Sequence, residues 1–139
     1  MLLDTSGLLA ALFPDQRHHS ACARALLDAE PPLLLSPFVL AELDYLVATR
    51  VGVRVELALL DDVASGAYEL VPFDRAMLAR ATAIVRRYAD ADIGLADASI
   101  VVLAERTGVD RVLTLDERHV RALRHERGRP FRIVPDTTP

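Results

Sequence analysis

The chain has no lysine: all 16 of its basic residues are arginine. Any mechanism that needs a lysine amine, as a nucleophile or as a partner for transferred phosphoryl groups, is excluded. Cysteine is almost as scarce, with Cys22 alone, so neither an internal disulfide framework nor a Cys-based zinc cage can form. A reducing compartment, the cytoplasm, is the expected location. No apolar run approaches the roughly 18 residues of a membrane span. The first twelve residues are apolar, but Asp4 interrupts them, with no basic stretch before and no small-residue cleavage site after, so they do not read as a signal peptide. A soluble protein with no membrane partner is expected. Also missing are a glycine-rich phosphate loop ahead of a helix, internal repeats, low-complexity tracts and an interdomain linker.

What is present suits one compact domain spanning residues 1–139, with a hydrophobic fraction of 52% to fill its core. The net charge of −4 weakly disfavours a nucleic-acid partner. Its distribution reverses that reading. Between residues 117 and 132 stand Arg118, Arg121, Arg124, Arg127, Arg129 and Arg132 against Glu117 and Glu126, a local balance of +4 that leaves −8 on the rest.

Short β-like runs alternate with longer helical ones, the pattern of an α/β fold in which helices cover both faces of a parallel sheet. Strands are expected at residues 1–4, 33–35, 68–71, 111–115 and, at an edge, 131–134. Helices are expected at 6–13, 17–29, 37–50, 53–64, 75–88 and 95–106, with a short arginine-rich helix after the fourth strand. That makes about five strands and about seven helices. Ser36-Pro37 is a helix-start pair, Asp74 a cap, Gly108 a helix stop, and 90–94 a loop.

In open parallel sheets ligands bind beyond the carboxyl ends of the strands. There the acidic residues collect: Asp4 ends the first strand, Glu42 lies in the helix after the second, Asp116 follows the fourth, and Asp97 opens the helix before it. Like charges drawn together disfavour one another's ionisation, so such a quartet calls for a cation. An all-oxygen set favours Mg²⁺ or Mn²⁺ over zinc, and a hard cation that polarises phosphate and activates water suits phosphodiester hydrolysis.

Each acid also has an ordinary explanation. Asp4 and Asp116 are good N-caps, Asp97 suits a helix N-terminus, and Glu42 has a rival in Asp44, which also sits among apolar neighbours and, like Glu42, could pair with an arginine. Asp92 is either the cap of the helix at 95–106 or an outer member of the cluster. His18, His19, His119 and His125 lack a ligand spacing, and the His18-His19 pair reads as solvated surface. Thr114 either orients Asp116 or a phosphate or is simply structural. Phosphorelay receiver domains and haloacid-dehalogenase-like phosphatases also place aspartates at strand ends, but both carry a lysine. The phosphatases also want an aspartate two residues after the first, where Ser6 stands here.

Leu3-Asp4-Thr5-Ser6, Glu42, the segment Asp92-Ile93-Gly94-Leu95-Ala96-Asp97-Ala98-Ser99 and the run Thr114-Leu115-Asp116-Glu117-Arg118-His119 together resemble the PIN-domain family, and within it the VapC-type toxins of toxin–antitoxin pairs. Val120 departs from the phenylalanine common after that histidine, which touches packing more than chemistry. The resemblance implies that Asp4, Glu42, Asp97 and Asp116 hold Mg²⁺ or Mn²⁺, with Asp4 and Asp97 as the main ligands, Asp116 completing the site, and Glu42 binding a second ion or orienting water. It implies an endoribonuclease whose products carry 5′-phosphate and 3′-hydroxyl ends, a VapB-type antitoxin as partner, and a homodimer. Arg118, Arg121 and Arg124 would hold flanking RNA phosphates. The competing expectations are an RNA-processing nuclease without an antitoxin, and a non-catalytic binding module whose acids are caps and salt-bridge partners.

Overall fold

The two leucines that follow Met1 are fully buried and form β1 (Leu2–Leu3), the middle strand of a five-stranded, all-parallel sheet ordered β3-β2-β1-β4-β5. The computed structural model describes residues 1–123 and 128–136; Arg124, His125 and Arg127 lie outside them. The other strands are β2 (Leu34–Leu35), β3 (Glu69–Leu70), β4 (Arg111–Leu113) and β5 (Arg132–Val134). The helices are α1 (Thr5–Leu12), α2 (His19–Leu27), α3 (Pro37–Arg50), α4 (Val53–Ala64), α5 (Arg75–Arg87), α6 (Leu95–Thr107) and α7 (Glu117–Ala122). These elements form the expected α/β architecture, and no described helix is long and apolar enough to cross a membrane.

The inner strands carry continuous rather than alternating apolar residues because both sheet faces are covered. Leu2, Leu3, Leu34, Leu35, Val112 and Leu113 are each at most 1% exposed, whereas both residues of edge strand β3 face solvent. Helix α6 is buried through seven consecutive residues, Ala98 to Ala104, between α5, α3 and β1. A helix apolar all round its middle belongs in the core.

Local signals set the helix boundaries. Ser36 Oγ accepts the Phe38 N–H at 3.2 Å with Pro37 in the first turn, and Asp74 Oδ1 accepts the Met77 N–H at 2.8 Å. Gly108, at φ 73°, closes α6 in the left-handed conformation that glycine adopts without strain.

Four expectations are corrected. Helix α2 starts at His19 rather than residue 17, after His18 at φ 63°, and His19 is no solvated surface group: its Nδ1 lies 2.9 Å from the Ala10 carbonyl, fastening α2 to α1. The loop at 90–94 contains a 3₁₀ turn, Ala89–Ala91. Asp92, at φ 56°, does not cap α6; the N-cap position is Gly94.

Candidate acidic site at the carboxyl ends of the strands

From β1 the chain moves outward to β2 and β3, then returns to the other side of β1 as β4. Neighbouring strands whose connections leave in opposite directions open a crevice at their carboxyl ends. The register Leu3↔Leu113 makes Asp4 and Thr114 the next residues on each strand, and the Asp4 N–H donates to the Leu113 carbonyl at 3.1 Å. Helix α1 leaves β1 against the end of β4, so close that a Cβ on Gly7 would stand 2.6 Å from the Leu113 carbonyl carbon and 2.8 Å from the Thr114 nitrogen.

This crevice holds a cavity of about 350 Å³ lined by Asp4, Glu42, Asp97 and Asp116 together with Thr5, Ser6, Leu9, Leu46 and His119. All four acids singled out in the sequence therefore meet. Glu42, exposed on α3, faces the cavity one helical turn before Leu46. Asp44 is not part of the lining, and its Oδ1 is buried without a hydrogen-bond partner among the described residues.

Asp4, 7% exposed, does not cap α1 through its side chain. Its Oδ2 instead accepts from Ser6 Oγ at 2.6 Å and Thr114 Oγ1 at 2.7 Å. Thr114 Oγ1 in turn accepts the Asp116 N–H at 2.9 Å, and Ser6 Oγ accepts the Leu115 N–H at 3.0 Å. Two hydroxyls thus tie the end of β1 to the turn after β4. Asp116 does cap its helix: Oδ1 accepts the His119 N–H at 3.2 Å, while Oδ2 lies 2.9 Å from His119 Nδ1. Asp97 Oδ2 accepts the Gly94 N–H at 3.2 Å. Burial is the main cause that pushes the Asp97 carboxyl up to about 6; the Gly94 N–H and His119 oppose this, and the negative charges of Asp4 and Asp116 add to it.

The donor chemistry fits a hard divalent cation. Four carboxylates face one space, and Asp97 registers the repulsion of two of them, which a cation would relieve. As the side chains stand, no three His, Cys, Asp or Glu groups among the described residues form a closed cage. The carboxylates ring the cavity rather than converge on one point.

A second cavity, of about 320 Å³, is lined by Asp90, Ala91, Asp92, Arg118, His119 and Ala122, so His119 is a wall of both. Arg118 therefore stands beside the acidic site. Arg121 is held by Glu117 at 2.7 Å one turn along α7 and lines a different hollow. Sequence reasoning did not assign Ser6 or His119 to the site. The available signals were Ser6 two residues after Asp4, and His119 three residues after Asp116, one helical turn away.

The PIN-domain family model matches residues 1–124. The chain belongs to the PIN-domain family. Ribonuclease VapC26 of Mycobacterium tuberculosis strain H37Rv is 47% identical to this PIN domain over 135 residues, covering 97% of the chain and 100% of the relative. Among solved structures, Mycobacterium tuberculosis VapC20, described as a sarcin-ricin loop cleaving toxin, superposes with a TM-score of 0.80 at 20% identity, over 87% of this chain and 93% of that one. FitAcB from Neisseria gonorrhoeae gives 0.62 at 25% identity, over 85% and 88%. The first of these two likenesses speaks to fold alone. The PIN-like α/β/α layering read from the sequence is that of this chain.

Proposed function

We propose that this PIN domain, with residues 1–139 as one unit, is an endoribonuclease of the VapC kind that hydrolyses RNA phosphodiester bonds with a divalent cation at Asp4, Glu42, Asp97 and Asp116. The observation that carries the reading is the meeting of these four acids in one cavity at the switch point of the sheet, with Asp97 held high by burial and by Asp4 and Asp116. The 47% identity with a ribonuclease over nearly the whole chain supports the substrate class.

Asp4 and Asp97 would hold the ion directly, with Asp116 completing the site and Glu42, the most exposed of the four, orienting water or holding a second ion. Ser6 and Thr114 occupy Asp4 Oδ2, which leaves Oδ1 as the oxygen to face the cavity. His119 fixes the orientation of Asp116. Bound Mg²⁺ or Mn²⁺ would supply phosphate polarisation and water activation. Arg118, and beyond it Arg121 and Arg124, would contribute positive charge along the RNA, which makes binding salt-sensitive. The reading extends to a VapB-type antitoxin as protein partner, to a homodimer, and to the cytoplasm as location.

The test is cleavage of RNA by purified protein with and without Mg²⁺. Asp4→Asn and Asp97→Asn are each expected to abolish metal-dependent cleavage while circular dichroism stays unchanged. Cleavage that survives both changes rejects the site.

A further inference from the structure

The cavity beside the acidic site has walls of an unusual kind for a protein that handles a polyanion. Asp90 and Asp92 follow α5 in and just after the 3₁₀ turn, and Arg118 and His119 face them from α7. Among the described residues the side chains of Asp90, Asp92 and Arg118 make no ion pair or hydrogen bond with one another or with any neighbour. Charges close by do pair: Glu117 with Arg121, Asp116 with His119. Among the described residues the cavity thus offers two carboxylates and one guanidinium without partners, and its volume of about 320 Å³ lies within the usual range of small-ligand sites.

Two carboxylates repel a phosphate, so the RNA backbone is a poor occupant. A base edge is a good one. Carboxylates only accept hydrogen bonds, and a forked acceptor suits two adjacent N–H donors. Among the RNA bases guanine alone presents such a pair, N1–H and N2–H, next to an acceptor, O6, that a guanidinium can reach. Adenine, cytosine and uracil would each set a lone pair against the carboxylate. Because His119 walls both cavities, this base would belong to a nucleotide next to the phosphate in the acidic site. RNA unpaired at this point exposes that edge.

We infer that the cavity formed by Asp90, Asp92, Arg118 and His119 is a guanine-binding subsite that selects the nucleotide flanking the cleaved bond. This rests on the ribonuclease reading, and two measurements keep the two ideas separable. The first is single-turnover cleavage of short single-stranded RNAs identical except for guanosine, inosine or adenosine at each position around the cut. Inosine keeps O6 and N1–H and lacks only the N2 amino group. At one flanking position guanosine should be cleaved on the order of tenfold faster than inosine or adenosine. Asp92→Asn and Asp90→Asn together should erase that ratio, bringing the guanosine and inosine rates down to that of adenosine RNA. The second is fluorescence anisotropy of the same RNAs on the full-length protein in EDTA, where the same guanosine-over-inosine ratio should appear without turnover. Absent cleavage with the binding ratio intact would reject the nuclease and keep the subsite. Equal rates and equal affinities for guanosine and inosine at every position, or a preference untouched by the double substitution, would overturn it.

Discussion

Replacing Asp97 with asparagine should make the metal-free protein more stable at neutral pH. In the folded chain this carboxyl is raised from 3.8 to about 6, first by burial and then by Asp4 and Asp116. Between those values the folded state binds the proton more tightly than the unfolded state, so stability is greatest below about pH 4 and falls as the pH rises through about 6. Above that the ionised carboxylate is a standing cost. A shift of about two units corresponds to about 3 kcal/mol at most. The side chain is only partly buried, and solvent screening brings the figure to on the order of 1–2 kcal/mol. Asparagine keeps an oxygen that can accept the Gly94 N–H, so the substitution removes charge and little else. Thermal melts in EDTA at pH 7.5 should show the variant melting a few degrees higher, roughly 3–8 °C for this energy. The gap should close near pH 4. Saturating Mg²⁺ should reverse the order, because only the wild type gains from binding the ion. A variant that melts at or below the wild type in EDTA at pH 7.5, or an advantage that persists at pH 4, would refute the idea that burial and the neighbouring acids make the ionised Asp97 carboxylate a standing cost until a cation binds.

Other outcomes follow from the same geometry. Thr114→Val removes the buried donor to Asp4 and the partly buried acceptor of the Asp116 N–H; a loss of about 2 kcal/mol is expected by urea titration. Activity should fall at least tenfold, with Thr114→Ser recovering most of it. Gly7→Ala places a methyl against the backbone of Leu113 and Thr114; denaturant melts should show a loss of about 3 kcal/mol, and an unchanged midpoint would contradict the tight approach of α1 to β4. EDTA should stop RNA cleavage and Mg²⁺ or Mn²⁺ restore it, whereas cleavage that continues in chelator would count against the cation.

The fold was legible because its signals are local and agree. Paired leucines mark buried strands, Ser36-Pro37 and Asp74 start helices, Gly108 ends one, and the boundaries fall within a residue or two of expectation. Side-chain roles were harder, because one residue type serves several ends. Asp4 and Asp116 carry the same capping signature, yet only Asp116 caps; Asp4 is turned away by Ser6 and Thr114, the latter 110 positions distant. Glu42 and Asp44 share an apolar helix, and only packing against α1 and α6 decides which lines the cavity. Asp92 read as a cap because the turn of Ala89–Ala91 was not anticipated, and His119 was passed over because its partner is a carboxylate rather than another histidine.

The bond between Asp4 and Thr114 also bears on when the protein becomes active. Ribosomes deliver the N-terminal end first, so β1 and Asp4 emerge early, while β4, Thr114 and Asp116 come only after some hundred further residues. Until then Asp4 lacks one of the two hydroxyls that orient it, and the cavity lacks a wall. A nascent chain that still lacks β4 is therefore unable to attack the RNA around it, and cutting becomes possible only once Thr114 and Asp116 have joined Asp4.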